Sequence, residues 1–308
     1  MKKFLLRILL ISVPLVLALL VSEYSLRRVP NDYAYKNAWL EENAGDLKIL
    51  VMGSSHGLYG INPAYFSAKA FNAAHSGQSL KYDRFIFGKF IDRMDSLKML
   101  VLPVSYFSQH SAGIEAGAEP WRVKYYSIYY GCDYYPFEPK YNLEIYNIQP
   151  VELLKSFFGK ASRITCSDLG FGTIHSKSCR KDDWNVKSGP EAARRHTKKA
   201  DKDVVDKNVF YLDEMIQTCR KRNIQVMLLT TPVHASYYDN LDKAQLDFVK
   251  EKCEDFQRDN GNVRYLDLML DTAYTDDDFY DGDHLNEFGA EKLTRFLDGY
   301  MRQNGFLE

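Results

Sequence analysis

Short aliphatic runs alternate with helical segments from residue 47 onward, and this alternation constrains the fold more than any other feature of the sequence. Continuous apolar runs of this kind are typical of strands covered on both faces, as in a parallel sheet. We therefore predict an α/β fold, a three-layer doubly wound (flavodoxin-like) parallel sheet of about five strands. The predicted strands cover residues 47–52, 70–72, 97–102, 224–229 and 263–266, and the main predicted helices cover residues 80–94, 203–222, 242–258 and 287–301.

The N-terminus carries an apolar run over residues 4–21, just long enough to cross the ~30 Å hydrocarbon core of a bilayer as a helix. Its flank fits poorly with the small-residue site of a cleaved secretory signal, so an uncleaved signal anchor is favoured over a cleaved one. Lys2 and Lys3 precede this run, Arg7 lies near its start, and Arg27 and Arg28 follow it. By the positive-inside rule, Lys2, Lys3 and Arg7 stay on the cytoplasmic side and the remaining chain faces outward. Arg27 and Arg28 weaken this orientation without reversing it.

The alternation stops between about residues 106 and 200, where tyrosines are dense and Trp121 and Trp184 occur. A structureless loop of this length is improbable inside a compact domain, so we interpret residues 106–200 as an aromatic-rich insertion over the active face. Aromatic rings there could stack on sugars, although packing in a core is the commoner role of any single tyrosine. The predicted domains are a transmembrane helix over residues 1–30 and an extracytoplasmic, periplasmic domain over residues 31–308.

The composition argues against nucleic acid as a partner, because the formal net charge is −1 and basic residues are scattered among acidic ones. The five cysteines include no C-x-x-C pair, which disfavours a zinc knuckle or a thioredoxin-type site. Cys166 and Cys179 bracket a predicted loop and are the first candidates for a disulfide in an exported domain. An equally acceptable interpretation is that all five thiols are reduced.

A serine follows the first predicted strand in the stretch Gly53-Ser54-Ser55-His56. A serine at such a turn suits a nucleophile, since its hydroxyl projects above the sheet and backbone N–H groups can face an oxyanion. A glycine, Gly77, follows the second predicted strand, where it lets the backbone approach a substrate and present an N–H group.

Asp281 and His284 stand just before the last predicted helix. An Asp three residues ahead of a His can accept a bond from Nδ1–H and leave Nε2 free as a base toward a serine. Two other interpretations remain: a capping segment with Asn286 at the helix start, and a calcium loop, whose spacing does not match an EF-hand.

The stretches around Ser55, around Gly77 and from Asp281 to His284 together resemble the sequence blocks of the SGNH/GDSL hydrolases. The resemblance implies that Ser55 is the nucleophile, that Asp281 and His284 are its partners, and that the backbone N–H groups of Ser55 and Gly77 form the oxyanion hole. It covers about residues 47–104 and 205–303. The family's Gly-x-Asn-Asp after the third strand is missing, because residues 102–106 contain no Asn, and Ser105 is the candidate substitute as a hydroxyl donor.

The resemblance extends to exported members that move acetyl groups onto cell-surface polysaccharides and carry an N-terminal anchor. We therefore expect a serine-dependent acyl-ester hydrolase or O-acetyltransferase, acting on a cell-envelope or exported glycan with no cofactor and no metal. A membrane partner would supply activated acyl groups if the reaction is transfer. The alternatives are a non-catalytic, membrane-tethered glycan-binding or scaffold protein, and a metal-dependent hydrolase that uses His56, His75 and the aspartates.

Overall fold

The computed structural model describes residues 2–199 and 201–307, so the predicted limits at residues 1, 200 and 308 lie outside the described residues. Its contacts divide the chain into two units. The first joins the residues up to Asn37 with Pro120–Ile164, and the second joins Ala38–Glu119 with the residues from Thr165 onward. The predicted insertion is therefore split, since its central part groups with the N-terminal segment while its two ends belong to the unit that contains the sheet.

The second unit contains a five-stranded, all-parallel sheet with the strand order β2-β1-β3-β4-β5. Its strands are β1 (Ile49–Val51), β2 (Ala70–Asn72), β3 (Met99–Pro103), β4 (Gln225–Thr230) and β5 (Val263–Asp267). This sheet confirms the predicted fold class, and each strand lies within about two residues of its predicted position.

The helices of the described residues alternate with these strands or belong to the first unit. They are α1 (Lys2–Arg27), α2 (Asp32–Asn43), α3 (Ser55–Gly60), α4 (Leu80–Phe90), α5 (Val123–Tyr125), α6 (Pro139–Asn142), α7 (Pro150–Phe157), α8 (Trp184–His196), α9 (Lys202–Lys221), α10 (Ala235–Tyr238), α11 (Lys243–Asp259) and α12 (Glu287–Gln303).

Both faces of the sheet are covered, as expected of continuous apolar strands. On one face, Val51, Val101 and Leu229 pack in a single cluster with Leu293 and Leu297 of α12. The residues that alternate with them and point to the opposite face are fully buried as well, namely Leu50, Leu100 and Leu228. On that side α9 contacts β4 and α4, which completes the three layers.

The first unit is organised around the end of α1. The carboxylate of Glu23 accepts the backbone N–H groups of Glu144 at 3.1 Å and Ile145 at 3.0 Å. Arg27 bonds to Glu23 and donates to the carbonyl oxygen of Asn142 at 2.9 Å. The stretch Leu10–Arg27 of α1 is long and apolar enough to cross a membrane, so α1 is a candidate anchor or signal sequence.

Four of the nine tyrosines in the predicted insertion are buried in this first unit and are unavailable for sugar stacking, namely Tyr125, Tyr126, Tyr130 and Tyr141. Tyr126 and Tyr130 are fully buried, and Tyr125 and Tyr126 both contact the ring of Tyr33. Beside them, the carboxylate of Glu144 lies 3.3 Å from Lys124 Nζ and 3.0 Å from Arg163 Nη1. The buried negative charge of Glu144 is therefore balanced by these two cations, and the hydroxyl of Tyr129 also donates to its carboxylate at 2.7 Å.

The structure shows no disulfide between Cys166 and Cys179, the pair considered for one from the sequence. Cys166 is only partly buried and forms an isolated bridge with Gly172, whereas Cys179 is exposed on a short 3-10 turn. Two others are packed inside helices, Cys219 in α9 and Cys253 in α11, where they behave as small apolar side chains.

Candidate active site

A tight turn between β1 and α3 carries Ser55. Gly53 has φ +107°, a value that favours glycine, and a Cβ atom at Gly57 would lie only 2.6 Å from the carbonyl oxygen of Met52. Ser55 is the first residue of α3, so its N–H has no acceptor within the helix. The turn therefore presents a hydroxyl and an unshared backbone donor at the carboxyl end of a central strand.

The segment between β5 and α12 carries the other two predicted residues. Asp281 Oδ1 accepts the backbone N–H groups of Asp283 at 3.1 Å and His284 at 2.8 Å, which curls the segment into a turn. Asn286 caps α12 by accepting from Phe288 and Gly289, so the capping interpretation is correct for Asn286 and leaves His284 free.

The structure brings Ser55, Asp281 and His284 together across 229 residues of sequence. His284 Nδ1 lies 2.9 Å from Asp281 Oδ1 and 3.1 Å from Oδ2, while His284 Nε2 lies 2.8 Å from Ser55 Oγ. Asp281 can only accept, so Nδ1 carries a proton and the unshared electron pair of neutral His284 is on Nε2, toward the serine. This is the geometry of a nucleophile, a base and an orienting carboxylate.

The charges around His284 favour its cation. Burial disfavours the imidazolium, but the carboxylates of Asp281 and Asp283 outweigh it and raise the pKa of His284 to about 9. Burial alone would also raise the pKa of Asp281, yet the His284 cation and its hydrogen bond lower it below the usual value. Asp281 and His284 therefore each stabilise the charged form of the other.

A second buried cluster, absent from the sequence prediction, lies against the first. His56 Nε2 is 3.3 Å from Asp283 Oδ2, His56 Nδ1 is 2.8 Å from Ser105 Oγ, and all three side chains are buried. Burial lowers the pKa of His56, so the ring is neutral, donates from Nε2 to the carboxylate and accepts at Nδ1.

This cluster includes Ser105, the residue expected to complete the oxyanion hole. With His56 neutral and its Nε2 proton on Asp283, the Ser105 hydroxyl donates to His56 Nδ1, and its next neighbour is Ser54 Oγ at 3.4 Å. The role of Ser105 as an oxyanion donor stays a prediction, because it would require the hydroxyl to turn away from His56.

Two further histidines from the end of the predicted insertion surround the site, and no local pattern marks either of them. The ring of His175 is stacked between Tyr59, at 3.6 Å between centroids, and Tyr280, at 4.2 Å, and it meets the edge of His284 at 4.8 Å. His196, the last residue of α8, lies 3.8 Å from Asp283. Burial lowers the pKa of His175 and His196 to about 3, so both imidazoles are neutral where they line the site.

Gly77 lies in the turn after β2 with φ +70°, beside the turn that carries the nucleophile. The two turns are joined by Asp83, whose Oδ1 accepts from the backbone N–H of Gly53 at 2.8 Å and from Gln78 Nε2 at 2.7 Å. Gly53 and Gly77 line the same small cavity together with Ser54. Burial raises the pKa of Asp83 to about 7, and this residue was also missed from the sequence.

Two groups of side chains in the described residues place possible metal ligands within 4.8 Å of one another: His56, Asp283 and His284, and His175, Asp281 and His284. Both include His284, whose two ring nitrogens already face Asp281 and Ser55. A metal ion at either place would compete with the serine arrangement. His75, which the metal-dependent alternative required, is in neither group.

Comparison with known proteins gives similarity to solved structures only. No family model matches the chain, and no curated protein matches it. One similar structure is a chain described as an acylhydrolase from Bacteroides fragilis, with 11% identity, a TM-score of 0.42 and coverage of 88% of this chain and 96% of that one. A second is described as a platelet activating factor from Streptococcus pneumonia, with 12% identity, a TM-score of 0.43 and coverage of 94% of this chain and 98% of that one. A third is a GDSL-like lipase from Bacteroides thetaiotaomicron, with 10% identity, a TM-score of 0.43 and coverage of 88% of this chain and 99% of that one. At these TM-scores the likeness carries no argument about chemistry, which rests on the geometry of Ser55, His284 and Asp281.

Proposed function

We propose that the protein is a serine-dependent acyl-ester hydrolase or acyltransferase. The observation that carries the proposal is the continuous chain of hydrogen bonds from Asp281 through His284 to Ser55, with 2.8 Å between the base and the hydroxyl. The alternative of a non-catalytic scaffold does not require such a chain, and a buried histidine between two carboxylates is a costly feature to keep for structure alone.

The reaction follows from this arrangement. The Ser55 oxygen attacks the acyl carbonyl carbon while its proton passes to His284 Nε2, and Asp281 holds the resulting imidazolium at Nδ1. The backbone N–H groups of Ser55 and Gly77 stabilise the oxyanion. When the tetrahedral intermediate collapses, the ester C–O bond breaks, the leaving alcohol takes the proton from His284, and the acyl group remains on Ser55.

The second half of the reaction decides between hydrolysis and transfer. His284 takes a proton from water or from a sugar hydroxyl, the oxygen attacks the acyl-serine, and Ser55 leaves with the proton that His284 returns. We propose a cell-envelope or exported glycan as the acyl carrier or acceptor, because the candidate membrane helix α1 would hold the chain at a membrane surface and face it outward. A membrane protein that delivers acyl groups is part of this proposal only for transfer.

The test is covalent labelling of the full-length chain in detergent with a fluorophosphonate probe. We expect labelling of the wild type and none of Ser55→Ala, together with a loss of about 10³-fold or more in kcat/KM for p-nitrophenyl acetate. Ser54→Ala is the matched control, since Ser54 is the adjacent buried serine with its hydroxyl toward Ser105, and it should be labelled. Equal labelling of the wild type and Ser55→Ala, or none of the wild type, would contradict the proposal.

Transfer and hydrolysis are separated by product analysis. The wild type is incubated with p-nitrophenyl acetate and an oligosaccharide acceptor, and both free acetate and acetylated sugar are measured. Acetylated sugar that is absent with Ser55→Ala supports transfer, whereas acetate alone supports hydrolysis.

A further inference from the structure

The short helix α7 in the first unit has an apolar face that no described part of its unit covers. Val151, Leu154 and Phe158 expose 64%, 59% and 68% of their surface, and Phe157 exposes 47%. Val151, Leu154 and Phe158 recur at helical spacing and lie on one side of α7. Single exposed apolar residues are ordinary, but four within the eight residues from Val151 to Phe158 form a patch that favours binding.

The opposite side of α7 packs against the end of α1. Ser25 Oγ donates to Ser156 Oγ at 3.0 Å, and Ser156 in turn donates to the carbonyl oxygen of Leu153. Ser25 belongs to the last turn of the apolar stretch Leu10–Arg27. The exposed face of α7 is therefore beside the end of the candidate membrane helix, within the same unit.

We infer that α7 lies in the lipid–water interface of the membrane, with its apolar face among the acyl chains. At about 1.5 Å per residue the helix is too short to cross a bilayer, whereas lying in the surface plane suits an amphipathic helix. Lys155 and Lys160 are exposed on and just after α7, where ammonium groups can reach lipid phosphates.

A lipid occupant is favoured because α7 packs on the end of α1, the candidate membrane helix. Only 6% of the stretch Leu10–Arg27 is buried, so α1 itself exposes its apolar surface, and a membrane around α1 would lie next to α7. The inference rests on α1 spanning the membrane and is independent of the proposed esterase chemistry.

The experiment uses the full-length chain in phosphatidylcholine vesicles that contain a phosphatidylcholine with a diazirine in its acyl chain. After irradiation, lipid adducts are mapped by mass spectrometry. We expect adducts on α1 and on residues 150–158. In the double variant Leu154→Glu/Phe158→Glu, adducts on residues 150–158 should fall about tenfold or more, since carboxylates on the apolar face oppose insertion, while adducts on α1 persist.

The matched control is Phe210→Glu, because Phe210 is 54% exposed on α9 of the other unit and its replacement should leave the adducts unchanged. Fluorophosphonate labelling of Ser55 reports whether each variant is folded. Adducts on α1 without adducts on residues 150–158 would overturn the inference, and adducts on neither would overturn the anchor and the inference together. A diazirine amino acid at position 154 that captures a protein instead of lipid in native membranes would also overturn it.

Discussion

At the residue scale, the site holds two carboxylates near the imidazole of His284, the proposed base, and they differ in their contacts with it. Asp281 accepts from His284 Nδ1 at 2.9 Å, whereas Asp283 Oδ1 is 3.6 Å away and its other oxygen faces His56. Asp281 orients the ring and Asp283 acts mainly through its charge. In the proposed reaction His284 must be neutral to take the serine proton, so we expect activity above its pKa and a loss of activity as pH falls below it.

Asp283→Asn should shift the pH profile instead of abolishing activity. The wild type has a pKa of about 9 at His284, so its kcat/KM should rise with pH up to about that value. Removing the nearby negative charge of Asp283 should lower the pKa of His284 by about one unit, so the rise of kcat/KM should occur at a correspondingly lower pH. The measurement is kcat/KM for p-nitrophenyl acetate from pH 5 to 10.

Asp281→Asn is the comparison for this prediction. It replaces one carboxylate oxygen by an NH2 group that can donate to His284 Nδ1 and favour the wrong tautomer, so kcat should fall about 10⁴-fold without recovery at any pH. If Asp283→Asn keeps the wild-type midpoint, the carboxylate of Asp283 does not tune His284.

At the element scale, α8 contacts the segment that carries Asp281 and His284. Ser188 Oγ accepts the backbone N–H of Gly282 at 2.8 Å, and a Cβ atom on Gly282 would lie 2.4 Å from the Cα of Gly189. A Cβ atom on Gly189 would lie 2.2 Å from Ser236 Oγ on α10. These glycines allow α8, α10 and the catalytic segment to approach as closely as they do.

Gly189→Ala should therefore force α8 away and move His284 relative to Ser55. We expect kcat/KM to fall about 10- to 100-fold, since small misplacements of reacting groups are costly. Overpacking should also lower stability by about 1–3 kcal/mol, seen as a lower thermal midpoint.

Gly299→Ala is the matched control for Gly189→Ala, because it adds the same methyl group to another helix. Gly299 lies inside α12 with no atom within 4 Å of a new Cβ, so alanine should leave activity unchanged and raise stability by about 0.5–1 kcal/mol. Unchanged activity in Gly189→Ala would show that close helix contact does not position the base.

At the scale of the whole molecule, the end of α1 is part of the folded protein. Glu23 receives two backbone N–H groups from residues 144 and 145, and Ser25 and Arg27 bond to α7 and to Asn142. Cleavage of a signal sequence near Ser22 would leave Glu23 beside a new N-terminus and would remove the helical turns that hold Glu23, Ser25 and Arg27 in place.

We therefore predict that the protein isolated from membranes retains its N-terminal helix. Peptide mapping should recover the residues of α1, and the protein should remain in the membrane after carbonate washing. A shortened chain recovered in the soluble fraction would show that the helix is a cleaved signal.

Much of the fold could be predicted because its signals are local. Strand positions follow from aliphatic runs such as residues 99–103, and the turns around Ser55 and Asp281 follow from glycine and Asx chemistry within a few residues. The division of residues 106–200 between two units could not be predicted, because it depends on contacts of Glu23 and Arg27 far along the chain.

The sequence alone determined the parallel sheet, the apolar N-terminal helix and the three residues proposed to react, since periodicity and short-range turn geometry specify them. Only the tertiary structure decided what surrounds those residues. His56 meets Asp283 across 227 residues, and His175 and His196 enter from the predicted insertion. Such pairs have no local signature, because packing of distant loops brings them into a common buried site, where burial then sets their charge.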